Sequence, residues 1–260
     1  MKTSIELKNV SLSYSSISYH ERSLKNLLLS LFKKNENRDC VQDVPALKNL
    51  SLKISEGERV GILGHNGAGK STFLKMLAGL YPISSGSILL KGNVRALLDL
   101  SLGFEPDATG KENILYRGLL LGLQPKEILE KRDEIIRFAD LGDFINYPIK
   151  TYSSGMLVRL AFAISTAVEG EILLLDEVVG AGDAGFIEKA RQRIMELINN
   201  SQILILASHD FQTLQQICQR GLVFQQGKIV FDGSIEEAIR YYSHEVDSGV
   251  CCVGASLSEG

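Results

Sequence analysis

Hydrophobic and polar positions alternate irregularly over residues 4–14, where Ile5, Leu7, Val10 and Leu12 mark an early strand, and a second strand is expected over 46–54. Between them, residues 23–34 set Leu24, Leu27, Leu28, Leu31 and Phe32 on one helical face, the pattern of a short amphipathic helix. Two readings of that helix stand side by side: a face packed on its own domain, or a face that meets a membrane or a membrane partner. An apolar run at 59–63 reads as a buried strand, and helical spacing over 71–80 follows it, closed by Gly79. Thr109, Gly110, Lys111 and Glu112 form a capping-box pattern that opens a helix through Leu121, and Pro125 opens another to about Ala139. The runs 172–175 and 203–206 have the apolar density of parallel strands covered on both faces, with a helix over 188–198 between them. A hairpin across Gln225, Gln226, Gly227 and Lys228 leads to a helix opened by Ser234, Ile235, Glu236 and Glu237 that reaches about Tyr242, and 246–260 reads as loose.

The 260 residues suffice for one α/β domain with appendages or for two small domains. A hydrophobic share of 45% and a charged share of 23% are those of a globular chain rather than a disordered or fibrous one. A net charge of -3 supplies no basic footprint for a phosphate backbone, so nucleic acid is not expected as a partner. Residues 1–7 lack the apolar core of a secretory signal, and no run approaches the roughly 20 apolar residues of a membrane span. Cys40, Cys218, Cys251 and Cys252 have no metal-ligand spacing and read as reduced cytosolic thiols.

The chemistry concentrates at Gly64, His65, Asn66, Gly67, Ala68, Gly69, Lys70 and Ser71, which satisfy G-x-x-x-x-G-K-[ST] with a strand before and a helix after. Glycines let backbone N–H groups converge on phosphates, and the helix N-terminus adds its dipole. Lys70 reaches the outer phosphates, Ser71 supplies a ligand for Mg²⁺, and Thr72 offers a further hydroxyl. Asp176 and Glu177 end the run 172–175: Asp176 is placed to hold the metal and Glu177 to polarise an attacking water, although a carboxylate pair can also simply cap the next turn. His209, flanked by Ser208 and Asp210, occupies the equivalent place after 203–206, where it can bond a terminal phosphate or be a structural histidine.

Thr151, Tyr152, Ser153, Ser154, Gly155 and Met156, upstream of Asp176 and Glu177, resemble the signature loop of ATP-binding-cassette ATPases, whose usual form is Leu-Ser-Gly-Gly-Gln. The order of phosphate loop, signature, carboxylate pair and histidine is that family's order. The resemblance implies an α/β P-loop NTPase fold of the ABC ATPase kind: a mostly parallel core sheet, an antiparallel β subdomain and a helical subdomain carrying the signature loop. It implies an ATPase domain over 1–242, with the amphipathic insert at 15–45, a helical subdomain at about 100–167 and a flexible tail at 243–260. It further implies ATP with Mg²⁺ as cofactors, and a homodimer in which Ser153, Ser154 and Gly155 meet the ATP held by the second copy.

Within the family, Tyr152–Met156 followed by Arg159, Leu160, Ala161, Phe162 and Ala163 is similar to subunits that power export of O-antigen, capsular polysaccharide or teichoic acid. So are 97–106, 109–114 and the insert. That similarity implies an integral membrane permease of ABC-2 type as partner, a lipid-linked polysaccharide handled indirectly, and a peripheral place on the cytoplasmic face of the cell membrane. The alternatives are another cargo, lipid or drug, or a soluble cassette ATPase outside transport. A carbohydrate-binding domain after the cassette is not expected. The glutamine that usually links nucleotide to permease is not evident, and Asp99 or Glu105 sits in its region. Of Gly180, Ala181, Gly182 and Asp183, where the family often has Ser-Ala-Leu-Asp, only Asp183 carries over. Tyr14 matches the aromatic that stacks on adenine, with Tyr19 as competitor.

Overall fold

The structure is a computed structural model that describes residues 2–17, 41–98, 103–176 and 184–247. Its larger sheet has six strands in the order β5-β6-β7-β3-β8-β9. These are β3 (Arg59–Leu63), β5 (Val94–Leu97), β6 (Ile172–Asp176), β7 (Ile203–Ala207), β8 (Arg220–Gln225) and β9 (Lys228–Ser234). All neighbours are parallel except β8 and β9. The uninterrupted apolar runs of β6 and β7 are buried along their length, as strands covered on both faces must be. The turn between β8 and β9 has positive φ at both Gln226 and Gly227, the two-residue geometry whose twist suits a hairpin.

A second sheet is antiparallel, ordered β2-β1-β4, from β1 (Ser4–Ile17), β2 (Val41–Ser55) and β4 (Ser85–Lys91). The irregular alternation of β1 has a cause. Asn9 takes φ 49° and the register to β2 slips between Leu7 and Val10, so both apolar residues reach the core although they lie three apart. The Ser51 hydroxyl accepts from Asn9 N–H at 3.0 Å and donates to Asn9 Oδ1 at 3.1 Å, which satisfies the bulge locally.

The space between the sheets is filled by α1 (Lys70–Leu77), whose Phe73, Leu74, Met76 and Leu77 pack with Ile5, Leu52, Ile62 and Phe224. Phe224 is 1% exposed and its ring centroid lies 5.1 Å from that of Phe73. Phe224→Ala is expected to cost about 4 kcal/mol of stability, because the surroundings cannot close the cavity. Urea denaturation with an unchanged m-value would show it; a loss below about 1 kcal/mol would mean that the site collapses freely.

A separate helical unit comprises α2 (Gly110–Leu120), α3 (Pro125–Ala139) and α4 (Ser154–Thr166), with 3₁₀ turns at Gly142–Asn146 and Ile149–Thr151. Its own core includes Ile114, Ile128, Ile135, Leu160 and Ile164. The capping box of α2 is formed: Thr109 N–H donates to Glu112 at 2.8 Å, and Glu112 N–H donates to the Thr109 hydroxyl at 3.3 Å. The remaining helices are α5 (Ala184–Asn200), α6 (Phe211–Ile217) and α7 (Ile235–Asp247).

Several expectations change. Strand runs into both ends of the expected insert, to Ile17 and from Val41, so 15–17 and 41–45 are ladder rather than insert. The amphipathic helix at 23–34 lies outside the described residues. Helix α7 continues past Tyr242 to Asp247, into the stretch expected to be a flexible tail. Tyr241 stacks on Phe231, Tyr242 meets Phe211 edge-on, and Glu245 bonds Tyr241 one turn earlier, so the added turn has partners. Strands β4 and β5 had no counterpart in the hydrophobic pattern.

Candidate phosphate-binding site

β3 is the buried strand that delivers Gly64 to the carboxyl edge of the sheet, and the chain turns there into α1. Gly64, Gly67 and Gly69 have φ of 148°, 79° and 109°. At Gly64 a Cβ would also stand 2.5 Å from Phe224 O, so the turn admits no side chain. The loop is braced from behind, where Gly227 N–H donates to Ala68 O at 2.9 Å, and from within, where Ala68 N–H donates to His65 O at 3.1 Å. Lys70, 9% exposed, folds its Nζ over the loop and donates to the carbonyls of Gly64 and His65. Ser71 is exposed at the first turn of α1.

Register places the other groups. Ile62 of β3 and Asp176 of β6 both pair with Ala207 of β7, so the three residues form one row across the sheet. Neighbouring strands are about 4.8 Å apart, which sets Asp176 about 10 Å from β3 at the edge where the loop begins. His209 lies two residues beyond that row on β7, as Gly64 does on β3, and is exposed. Asp210 does not pair with it. Asp210 caps α6, accepting from Gln212 N–H at 3.0 Å and from the Thr213 hydroxyl, and the latter bond first of all holds its carboxyl below the usual range. Ligands of open α/β sheets gather at this edge.

Tyr14, 40% exposed, puts its hydroxyl 3.1 Å from that of Thr72 and meets Tyr81 edge-on. The ring thus stands beside α1, and the Thr72 hydroxyl, expected as a further phosphate group, has Tyr14 as its partner. Ser153 caps α4, its hydroxyl accepting from Met156 N–H at 3.2 Å; Ser153 and Ser154 are exposed, and a Cβ on Gly155 would meet only the Ser153 hydroxyl, at 3.9 Å. The loop is anchored by Tyr152, buried, whose hydroxyl donates to Phe144 O at 2.6 Å. Glu177, Asp183, Asp99 and Tyr19 lie outside the described residues. Glu105 is exposed, and its backbone is held at both N–H and carbonyl by the buried Asn113. Burial pushes the Cys218 thiol up to about 12, which makes it inert at neutral pH.

The sequence model of the family described as ABC transporter matches residues 47–180. The chain belongs to the ABC transporter family. Its fold is that of an ATP-binding cassette, and its nucleotide is ATP. Over 237 residues it is 42% identical to the O-antigen export system ATP-binding protein RfbE of Yersinia enterocolitica, covering 90% of this chain and 99% of that one. It is 37% identical over 221 residues to the teichoic acids export ATP-binding protein TagH of Lactococcus lactis, covering 85% of this chain and 47% of that longer protein. The dimeric, ADP- and phosphate-bound structure of the ATP-binding cassette MJ0796 superposes with TM-score 0.63 at 22% identity, over 89% of this chain and 98% of that one, a likeness of fold. No helix among the described residues of this cassette is long and apolar enough to cross a membrane.

Two residues of the cassette that hold the site's surroundings were not singled out from sequence. Asn113 donates to the carbonyls of Glu105, Ala108 and Thr109 and accepts from Glu105 N–H, so it shapes the whole loop ahead of α2. Arg95 was the other. The strand that carries it, β5, has only four residues and leaves no mark in the hydrophobic pattern, so the sequence held no signal for it.

Proposed function

We propose that this chain is the ATP-hydrolysing subunit of an exporter that drives a lipid-linked polysaccharide of O-antigen or teichoic-acid type across the cytoplasmic membrane. The observation that carries the reading is the 42% identity to the O-antigen export protein across nearly its whole length. The chain acts as a homodimer on the cytoplasmic face, docked to an integral membrane permease of ABC-2 type.

In this reading the backbone N–H groups of 64–71 and the N-terminus of α1 hold the phosphates, and Lys70 exchanges its loop carbonyls for phosphate oxygens. Tyr14 offers its exposed ring to adenine. Ser71 and Asp176, one hydroxyl and one carboxylate, would hold Mg²⁺, which would supply neutralisation of the phosphate charge when bound. Glu177 polarises the attacking water, and His209 holds the terminal phosphate. Ser153, Ser154 and Gly155 present the positive end of α4 to the ATP of the other copy, and Asp183 is assigned to nucleotide binding by its match to the family's Ser-Ala-Leu-Asp segment.

Purification of the tagged chain from gently solubilised membranes tests the reading. It is expected to bring an integral permease with it, and a strain lacking the chain should retain lipid-linked polysaccharide inside the cell. A purely cytosolic complex with unchanged surface polysaccharide would defeat it.

A further inference from the structure

Arg95 lies on β5, in the edge strand of the six-stranded sheet, yet its guanidinium serves the helical unit. Its Nη1 donates to Leu121 O at 3.1 Å, and its Nε donates to Glu169 O at 3.4 Å. Leu121 is the C-cap residue of α2, and Glu169 stands three residues beyond the last residue of α4. One side chain of the core therefore holds the carboxyl end of α2, where the helix dipole favours a cation, and also the connection that leaves α4. A planar fork can reach two carbonyls at once; a single ammonium cannot do so with the same geometry.

The approach is close by construction. A Cβ on Gly170 would lie 2.4 Å from Arg95 Cγ and 3.0 Å from Asn93 O, so the connection from Glu169 into β6 lies close against Arg95 only because residue 170 is glycine. The same stretch is fixed to the core on either side. Asn200 donates to the Glu169 carboxylate at 3.1 Å, and Asn93 N–H donates to that of Glu171 at 2.9 Å.

Helix α4 spans 13 residues, about 20 Å at 1.5 Å per residue, with Arg95 near its carboxyl end and Ser153 at its amino end. A tilt of about 10° at the held end displaces Ser153 by about 3.5 Å, more than the length of a hydrogen bond. The geometry points to Arg95 as a positioning residue: it sets the angle of α4 and hence whether Ser153 and Gly155 meet the ATP of a second copy. This rests on the dimeric cassette reading above. Arg95 is three strands from β3, about 14 Å across the sheet, so it does not touch the phosphate loop.

The test uses the full chain in a Glu177→Gln background for dimerisation by sedimentation, the wild-type background for steady-state turnover, and a fluorescent ATP analogue for binding. Arg95→Ala is expected to leave analogue binding within about twofold, while weakening ATP-dependent dimerisation and lowering kcat by about tenfold each. Gly170→Ala should act in the same direction from the opposite side of the contact, and Arg95→Lys should recover part of the loss. Those two variants carry the test should Arg95→Ala fail to fold by circular dichroism. Wild-type dimerisation and kcat in all three variants would overturn the role, as would a loss of analogue binding in proportion to the loss of dimerisation. A Glu177→Gln chain that does not dimerise with ATP while Arg95 is intact would remove the cassette-dimer reading itself, and that is seen before any Arg95 variant is made.

Discussion

Lys70→Ala is expected to lower ATP turnover by about a thousandfold and to abolish export with it. The side chain is nearly fully buried and its Nζ sits over the turn, donating to the carbonyls of Gly64 and His65. A fixed cation in so poorly hydrated a place stabilises charge moving onto the transferred phosphate more strongly than an exposed one does, and removing one such group typically costs two to three orders of magnitude. The variant also removes the cation that trades the loop carbonyls for phosphate oxygens, so nucleotide affinity should fall alongside kcat. The rest of the loop does not depend on Lys70: Gly227 N–H still holds Ala68 O, and the turn at Gly64 still lies against Phe224. Thermal unfolding should therefore move little. Phosphate release under saturating ATP, read beside the melting curve, separates the two effects; turnover within tenfold of wild type would reject the assigned role.

That prediction draws on features legible in the chain itself. The phosphate loop has fixed residue spacing, and β3, β6 and β7 are apolar runs without interruption, so their type and their place in the middle of a sheet follow from burial on both faces. The parallel register then brings Asp176 and His209 to the edge where the loop begins. Strands β4 and β5 carry no such signal. Among the described residues β4 pairs only with β1 and is largely exposed, which erases its alternation, and β5 has four residues. The fault in the alternation of β1 is a bulge at Asn9, a backbone event that no side-chain period reports. Contacts between distant segments were equally hidden. Tyr14 and Thr72 are 58 residues apart, and the buried Asn113 reads in sequence like any polar helix residue. Helix α7 outruns its expected end because Tyr241 and Tyr242 find aromatic partners on β9 and α6.

Glu177→Gln is expected to separate binding from chemistry. Asp176 closes β6 in the row with Ala207 and Ile62, and Glu177 is the next residue of the chain. The amide has nearly the volume of the carboxylate but cannot take a proton from the attacking water, and loss of a general base costs about a thousandfold. Ser71 and Asp176 are untouched, so the groups assigned to Mg²⁺ persist, as do Lys70 and the loop amides that hold the phosphates. ATP should then bind, draw two copies together through Ser153 and Gly155, and remain uncleaved. Sedimentation with ATP should give a dimer that ADP does not, while wild-type protein returns to monomer as ATP is consumed. Undiminished phosphate release would reject Glu177 as the base. Loss of both turnover and dimerisation would instead place Glu177 in the binding of nucleotide, and the hydrolytic step would have to be assigned to another group at the same edge, with His209 the nearest by register.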